Sequence, residues 1–216
     1  LTYDDTMTGA LKAYARAGQS VVISPFILGG AMGPVTQPAL LAQSHAEAMA
    51  GIALSQLVRK GAPVVYGNFL TTMDLKTGAP TFGTPEANLA SLAIGQLCRR
   101  LNLPLRTGGN LTASKIADAQ AMQESTASMM AGLLAGSNFV FHAAGWLEGG
   151  LSGSYEKLVL DAELLQLITE SFQPMVVNED TLGFNAIRDV GHGGHFFGSP
   201  HTLERYEQAF YHPILT

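Results

Sequence analysis

One plan recurs four times along this chain of 216 residues, and that recurrence limits its fold more than any other feature. Short apolar runs rich in β-branched and aromatic residues begin at positions 21, 63, 103 and 139. Each is followed by a glycine-bearing polar stretch and then by a long segment with helical periodicity. Helices are expected over 38–60, 84–101, 115–134 and 154–172, with one more, 4–17, ahead of the first run. Local signals agree. Gly18 is placed to end the first helix in a left-handed conformation. Thr84-Pro85-Glu86 supplies an N-cap, a proline at the first helical position and an acid in the first turn. Arg99 and Arg100 fall at that helix's C-terminus, where the helix dipole favours cations.

The connections are unequal. Helix-to-strand links are short (Gly61-Ala62, Asn102, Gly136-Ser137), whereas strand-to-helix links are longer and more polar, 71–83 being expected as a loop. This asymmetry belongs to a parallel βα array whose working face lies at the strand C-termini. Four units suit half of a (β/α)8 barrel, and equally a complete open doubly wound sheet. After residue 173 the pattern changes. A strand remnant or loop over 174–180, a short helix over 181–190, a glycine- and histidine-rich loop over 191–202 and a helix over 203–210 are expected.

Composition narrows the function. Charged residues make up 13% of the chain and the mean hydropathy is +0.18, a core-rich balance that disfavours disorder and suggests that a partner covers part of the surface. A net charge of −5 without a Lys/Arg stripe disfavours nucleic acid. The single cysteine, Cys98, excludes an internal disulfide framework and fits a reducing, cytoplasmic compartment. No apolar run reaches membrane-spanning length. The opening Leu-Thr-Tyr-Asp-Asp and closing Tyr-His-Pro-Ile-Leu-Thr both read as cut, which predicts a single partial domain, 1–216, of a longer protein.

The fourth run, Phe139 to Gly150, carries the densest chemistry: His142, the only tryptophan, Trp146, and Glu148, all just past a strand end. His142 either contacts a polar or anionic substrate group or is a satisfied core histidine. Trp146 either packs or offers its indole face to an ammonium group. Glu148 is a base, a charge partner or simply the start of a loop. Tyr66, Asn68 and Phe69 end the second run, and Arg106 and Thr107 the third; at matching strand ends they would line one pocket. The glycine pairs at 29–30 and 108–109 lack the spacing of a dinucleotide fingerprint. Ser24 and Ser199 lack a nucleophile-elbow context. His192, His195 and His201 could suggest a metal-dependent hydrolase, but they sit among glycines rather than on one helix face, so no metal is assigned.

Several stretches, in order along nearly the whole chain, resemble the trimethylamine methyltransferase (MttB-like) family. They are Ala31-Met32-Gly33-Pro34-Val35-Thr36, Gly61-Ala62-Pro63-Val64-Val65-Tyr66-Gly67, Gly78-Ala79-Pro80-Thr81-Phe82-Gly83-Thr84-Pro85-Glu86, His142-Ala143-Ala144-Gly145-Trp146-Leu147-Glu148-Gly149-Gly150-Leu151, Ser154-Tyr155-Glu156-Lys157, and Gly193-Gly194-His195 with His201-Thr202. The resemblance implies a (β/α)8 TIM barrel of which this chain is roughly the C-terminal half. It implies methyl transfer from a methylated amine to the Co(I) of a corrinoid carried by a separate protein, with no cofactor bound in the chain itself. Archaeal trimethylamine enzymes of the family carry pyrrolysine, and the equivalent position is expected around Arg106 to Asn110. Only standard residues occur here, which points to the non-pyrrolysine branch and to quaternary amines such as glycine betaine. In that setting Trp146, Tyr66 and Phe69 are expected to face the ammonium group, and His142 and Arg106 a carboxylate. A non-catalytic amine-binding relative is the alternative. Half a barrel also leaves two sheet edges open, so self-association is expected.

Overall fold

The computed structural model describes residues 3–215 and divides into two compact units, Leu1–Asp161 and Ala162–Thr216. The first unit is the βα array. Its order is α1 (Asp5–Ala17), β1 (Val21–Ile23), β2 (Phe26–Gly29), α2 (Gln37–Val58), β3 (Val64–Gly67), β4 (Phe69–Met73), β5 (Pro80–Thr81), α3 (Pro85–Leu101), β6 (Leu105–Gly108), α4 (Ala119–Leu134), β7 (Phe139–Phe141), β8 (Trp146–Leu147) and β9 (Ser152–Gly153). Helix α5 (Tyr155–Ser171) follows, and the boundary between the units falls within it.

Strands β1, β3, β6 and β7 form a four-stranded parallel sheet in the order of the sequence, without reversal. The mixed α/β class with a parallel sheet matches the expectation from the repeats. Two expected runs are each divided. Pro25 has no N–H to donate to a ladder, and Asn68 turns its side chain onto the Leu70 amide at 3.1 Å. The chain therefore leaves the main sheet at Ser24-Pro25 and at Asn68. The register carries over: Val21 lies opposite Val64 in one sheet, and Phe26 opposite Phe69 in the other. Strands β2 and β4 continue as a small sheet that β5 closes in antiparallel fashion. The segment expected as a loop over 71–83 is thus a hairpin. Its turn is fixed by the Asp74 carboxylate, which accepts from the Lys76 amide and the Thr77 hydroxyl, and by Gly78 at φ 76°.

Period-2 alternation sorts the main sheet. Ile23, Tyr66 and Leu105 point to the helix side and join Leu11, Ala48, Ile52, Ile94, Cys98 and Ala135 in the main core. Their neighbours point the other way, where Val22, Phe139 and Phe141 remain at least one-third exposed. Helix α4 starts at Ala119, later than expected. Asp118 caps it by accepting from the Ala121 amide at 2.9 Å, and residues 115–118 are drawn into a turn in which Ser114 bonds to Asp118.

In the second unit, α6 (Glu179–Leu182) and α7 (Phe184–Val190) replace one expected helix. They are separated by Gly183 at φ 60°, and Asn178 and Thr181 form a reciprocal capping box. Helix α8 spans only Pro200–Leu203, capped by Ser199, and the expected helix over 203–210 is a run of turns. Among the described residues no helix is long and apolar enough to cross a membrane.

The packing of α3 on α4 gives a sign test. A Cβ on Gly95 would fall inside van der Waals distance of the Ala135 carbonyl oxygen, whereas one on Gly9 of α1 would meet nothing within 4 Å. Glycine-to-alanine within a helix ordinarily stabilises by about 0.5–1 kcal/mol. Gly9→Ala is expected to gain that amount. Gly95→Ala is expected to lose about 1–3 kcal/mol by overpacking. Urea unfolding of the two variants beside the parent measures both.

Candidate functional site

Arg106 is the centre of the site. It stands on β6 opposite Gly67 and Phe139, on the face away from the helices, and is 5% exposed. The guanidinium reaches across the ends of β1 and β3. One terminal nitrogen donates to Ser24 Oγ and to the Asn68 carbonyl oxygen, both at 3.2 Å. Those acceptors are the residues at which the two runs break, so the breaks create the anchor. The other terminal nitrogen lies 3.2 Å from His142 Nδ1. The guanidinium carbon also sits 5.3 Å from the Phe69 ring centroid and 4.9 Å from that of Phe141. Among the described residues no carboxylate pairs with Arg106. Burial lowers its pKa, but an arginine stays charged in proteins, so this is a buried cation held by neutral groups.

His142 follows β7 with φ 55°, a left-handed conformation that aims its ring at this cation. A guanidinium can only donate, so Nδ1 must be the bare, accepting nitrogen and the proton of the neutral ring must sit on Nε2. Burial first, and the Arg106 charge second, hold the imidazole below its ordinary pKa of 6.5. Three rings surround it, Phe69 at 5.4 Å, Phe141 at 5.7 Å and Trp146 edge-on at 5.3 Å. The result is an open cleft of about 360 Å³ at the C-terminal ends of the parallel strands, lined by Val22, Ser24, Phe26, Phe69, Arg106, Phe141 and His142.

The residues singled out in the sequence divide accordingly. Arg106, His142 and Phe69 line the cleft, and Trp146 backs His142. Tyr66 does not enter it. Its side chain is fully buried on the helix side, with its hydroxyl 3.4 Å from His45 Nδ1, because the residue that shares the face of Arg106 is its neighbour Gly67. Burial raises the Tyr66 phenol pKa well above the ordinary tyrosine range. Glu148 starts a short turn whose amides are pinned to the loop after β6, Glu148 N to Ser114 O at 2.9 Å and Gly149 N to Thr112 O at 2.7 Å; its side chain does not line the cleft. His192, His195 and His201 join no group of metal-ligating side chains among the described residues.

Phe26, Phe141 and Ser24 were not predicted as cleft residues. Phe141 carried a misleading signal, since strict alternation sets it on the face opposite His142, and only the left-handed backbone of His142 brings both to the cleft. Ser24 and Phe26 carried no signal, because their places depend on where the first run leaves the sheet.

Comparison with known proteins places the chain in a family. Residues 1–216 match the family described as trimethylamine methyltransferase (MTTB). The chain belongs to this family. It is 40% identical over 216 residues to the glycine betaine methyltransferase of Desulfitobacterium hafniense (strain Y51), covering 100% of this chain and 45% of that protein. It is 37% identical over 190 residues to the trimethylamine methyltransferase MttB1 of Methanosarcina mazei, 88% of this chain and 38% of that protein. It is 35% identical over 188 residues to the trimethylamine methyltransferase MttB of Desulfitobacterium hafniense (strain DSM 10664 / DCB-2), 87% of this chain and 38% of that protein. The chain therefore spans less than half the length of these methyltransferases.

The coupling of His142 to Arg106 has a pH signature. The folded-state pKa lies below the ordinary value of 6.5, so the folded chain binds fewer protons than the unfolded chain within that window. Stability is expected to rise as pH increases through the window and to fall as pH drops through it. His142→Gln removes that part of the slope. Arg106→Met relieves the smaller cause only, so the His142 pKa is expected to rise but to stay below 6.5. Histidine titration by NMR and denaturation midpoints between about pH 5.5 and 7 measure these effects.

Proposed function

We propose that this chain carries the substrate cleft of a methyltransferase that moves a methyl group from a quaternary amine such as glycine betaine to the Co(I) of a corrinoid held by a partner protein. The observation that carries this reading is the buried Arg106 guanidinium, unpaired with any carboxylate among the described residues and facing an open cleft lined by aromatic rings. A buried cation favours an anionic ligand. Three of its five N–H groups are occupied, by Ser24, Asn68 and His142, which leaves donors for a carboxylate. Phe26 and Phe69, packed side by side in the cleft wall, offer ring faces whose negative quadrupole suits a methylated ammonium. A betaine carries both groups a short distance apart.

The chemistry asks little of side-chain acids or bases. A quaternary nitrogen is already positive. When Co(I) supplies the electron pair that bonds the methyl carbon, the carbon–nitrogen pair stays on nitrogen, and a neutral tertiary amine leaves. The protein's part is to hold the cation, exclude wrong orientations and align one methyl, which is catalysis by proximity and electrostatics. In this reading the four parallel strands are one arc of a (β/α)8 barrel, and the exposed face bearing Val22, Phe139 and Phe141 belongs to its interior. The sequential strand order and the share of the relatives' length that is covered support that arc. The outer strands β1 and β7 then require further partners, from the rest of a barrel or from a second copy.

Three measurements test the proposal. Calorimetric titration is expected to detect glycine betaine, and Arg106→Met to weaken it about a hundredfold while leaving binding of tetramethylammonium, which lacks a carboxylate, nearly unchanged. No heat with any betaine, together with no demethylation in the presence of Co(I) cobalamin, would sink the reading. Light scattering is expected to find this chain self-associated, and a stable monomer would count against the open-edge argument.

A further inference from the structure

Lys157 and Asp161 sit one turn apart on α5, and both are 0% exposed. The Lys157 ammonium contacts both Asp161 oxygens, at 2.5 and 2.6 Å, and Ser125 Oγ of α4 at 2.9 Å. Removing two such charges from water costs several kcal/mol per ion, and a well-packed apolar pair of similar volume is often as stable or more so. The pair therefore does something that packing alone would not. The second contact of Asp161 says what. Its Oδ2 accepts from the Gly145 amide at 2.8 Å.

Gly145 has φ 83° and lies three residues after His142, whose φ is 55°, and directly before Trp146. Two left-handed residues this close turn the chain so that the Gly145 N–H faces α5 instead of a neighbouring strand. Its carbonyl is held by the Ser154 amide at 2.9 Å. The turn that presents His142 to Arg106 is thus clamped on both sides of Gly145, by Asp161 of α5 and by Ser154 directly before that helix. Burial raises the Asp161 pKa, against the opposing pull of Lys157 and Gly145.

We propose that Asp161, held in place by Lys157, is a positioning residue of the cleft: its carboxylate takes the Gly145 amide and so fixes the 142–146 turn with His142 Nδ1 against Arg106. Lys157 supplies the compensation that lets a carboxylate be buried there, and Ser125 ties the pair to α4. The link to catalysis rests on the reading of the cleft as a betaine site. The geometry does not.

The test compares two doubly substituted chains. Lys157→Met with Asp161→Asn removes both charges but keeps a side-chain oxygen for the Gly145 amide. Lys157→Met with Asp161→Leu removes the acceptor as well. Both are expected to melt within about 5 °C of the parent. With histidine labelled with ¹⁵N, the parent and the asparagine chain are expected to show His142 as the Nε2–H tautomer with a pKa below 6.5. The leucine chain is expected to show mixed tautomers and a pKa shifted up towards that value. Glycine betaine affinity should fall roughly tenfold to a hundredfold in the leucine chain alone. If the two doubly substituted chains give the same His142 signature, whether parental or altered, the proposal is overturned. Should neither chain fold, amide hydrogen exchange of the parent decides. Protection of Gly145 well above that of Ala143 and Ala144 supports the clamp, and exchange at the unprotected rate overturns it. A preserved difference in the His142 signature with no betaine binding in the parent would reject the substrate reading and leave the positioning role intact.

Discussion

A buried guanidinium with no carboxylate beside it is the constraint around which this molecule is arranged. Arg106 cannot shed its charge, and it lies 95% out of solvent on the open face of a parallel sheet. Everything near it is a way of keeping a cation there without neutralising it. The Asn68 carbonyl and Ser24 hydroxyl accept its hydrogen bonds, Phe69 and Phe141 lend their ring faces, and His142 is kept neutral to serve as a third acceptor. An aspartate in place of any of these would satisfy the arginine and spend its charge on the fold. Neutral partners leave that charge available to a ligand.

The backbone makes this possible through two departures from ideal strands. Pro25 and Asn68 end β1 and β3 at matching levels and carry the chain into a second small sheet. A ladder that ran on would consume the Asn68 carbonyl and remove Ser24 from reach. The left-handed turn after β7 is the other departure. It is costly for His142, which is not a glycine, and it is upheld from beneath by the buried Lys157–Asp161 pair through Gly145. The polar network of α5 and the aromatic cleft at the strand ends are therefore one construction, joined by a single backbone amide.

Much of the fold was legible before any coordinates. The βα repeat, the helix end at Gly18, the helix start at Thr84-Pro85 and the parallel sheet follow from apolar periodicity and from where glycine, proline and capping residues fall. The hairpin of β4 and β5 was not, because its strands are short and polar and are defined by pairing, not by a pattern of their own. The terminal helix over 203–210 failed for the opposite reason, since a periodic segment forms turns when too little is packed against it. At the site, residue type and strand-end position brought out Arg106, His142, Phe69 and Trp146. Tyr66 was drawn in by the same logic, but one step of strand alternation turned it into the helix-side core. Lys157 and Asp161 gave no signal beyond an i,i+4 pair on a helix, the commonest kind of surface ion pair, and only burial distinguishes them.

The sequence by itself determined the βα order, the strand ends at which chemistry collects, and membership in a methyltransferase family, because each rests on local pattern or on residues in a fixed order. The tertiary structure alone decided which face each strand residue takes, which neutral groups meet the Arg106 cation, and that a buried ion pair on α5 reaches the turn holding His142. Those outcomes depend on register and on contacts between residues far apart in the chain, such as Arg106 with Ser24 and Asp161 with Gly145. No local preference encodes them, since a shift of one residue in any strand reverses every face it presents.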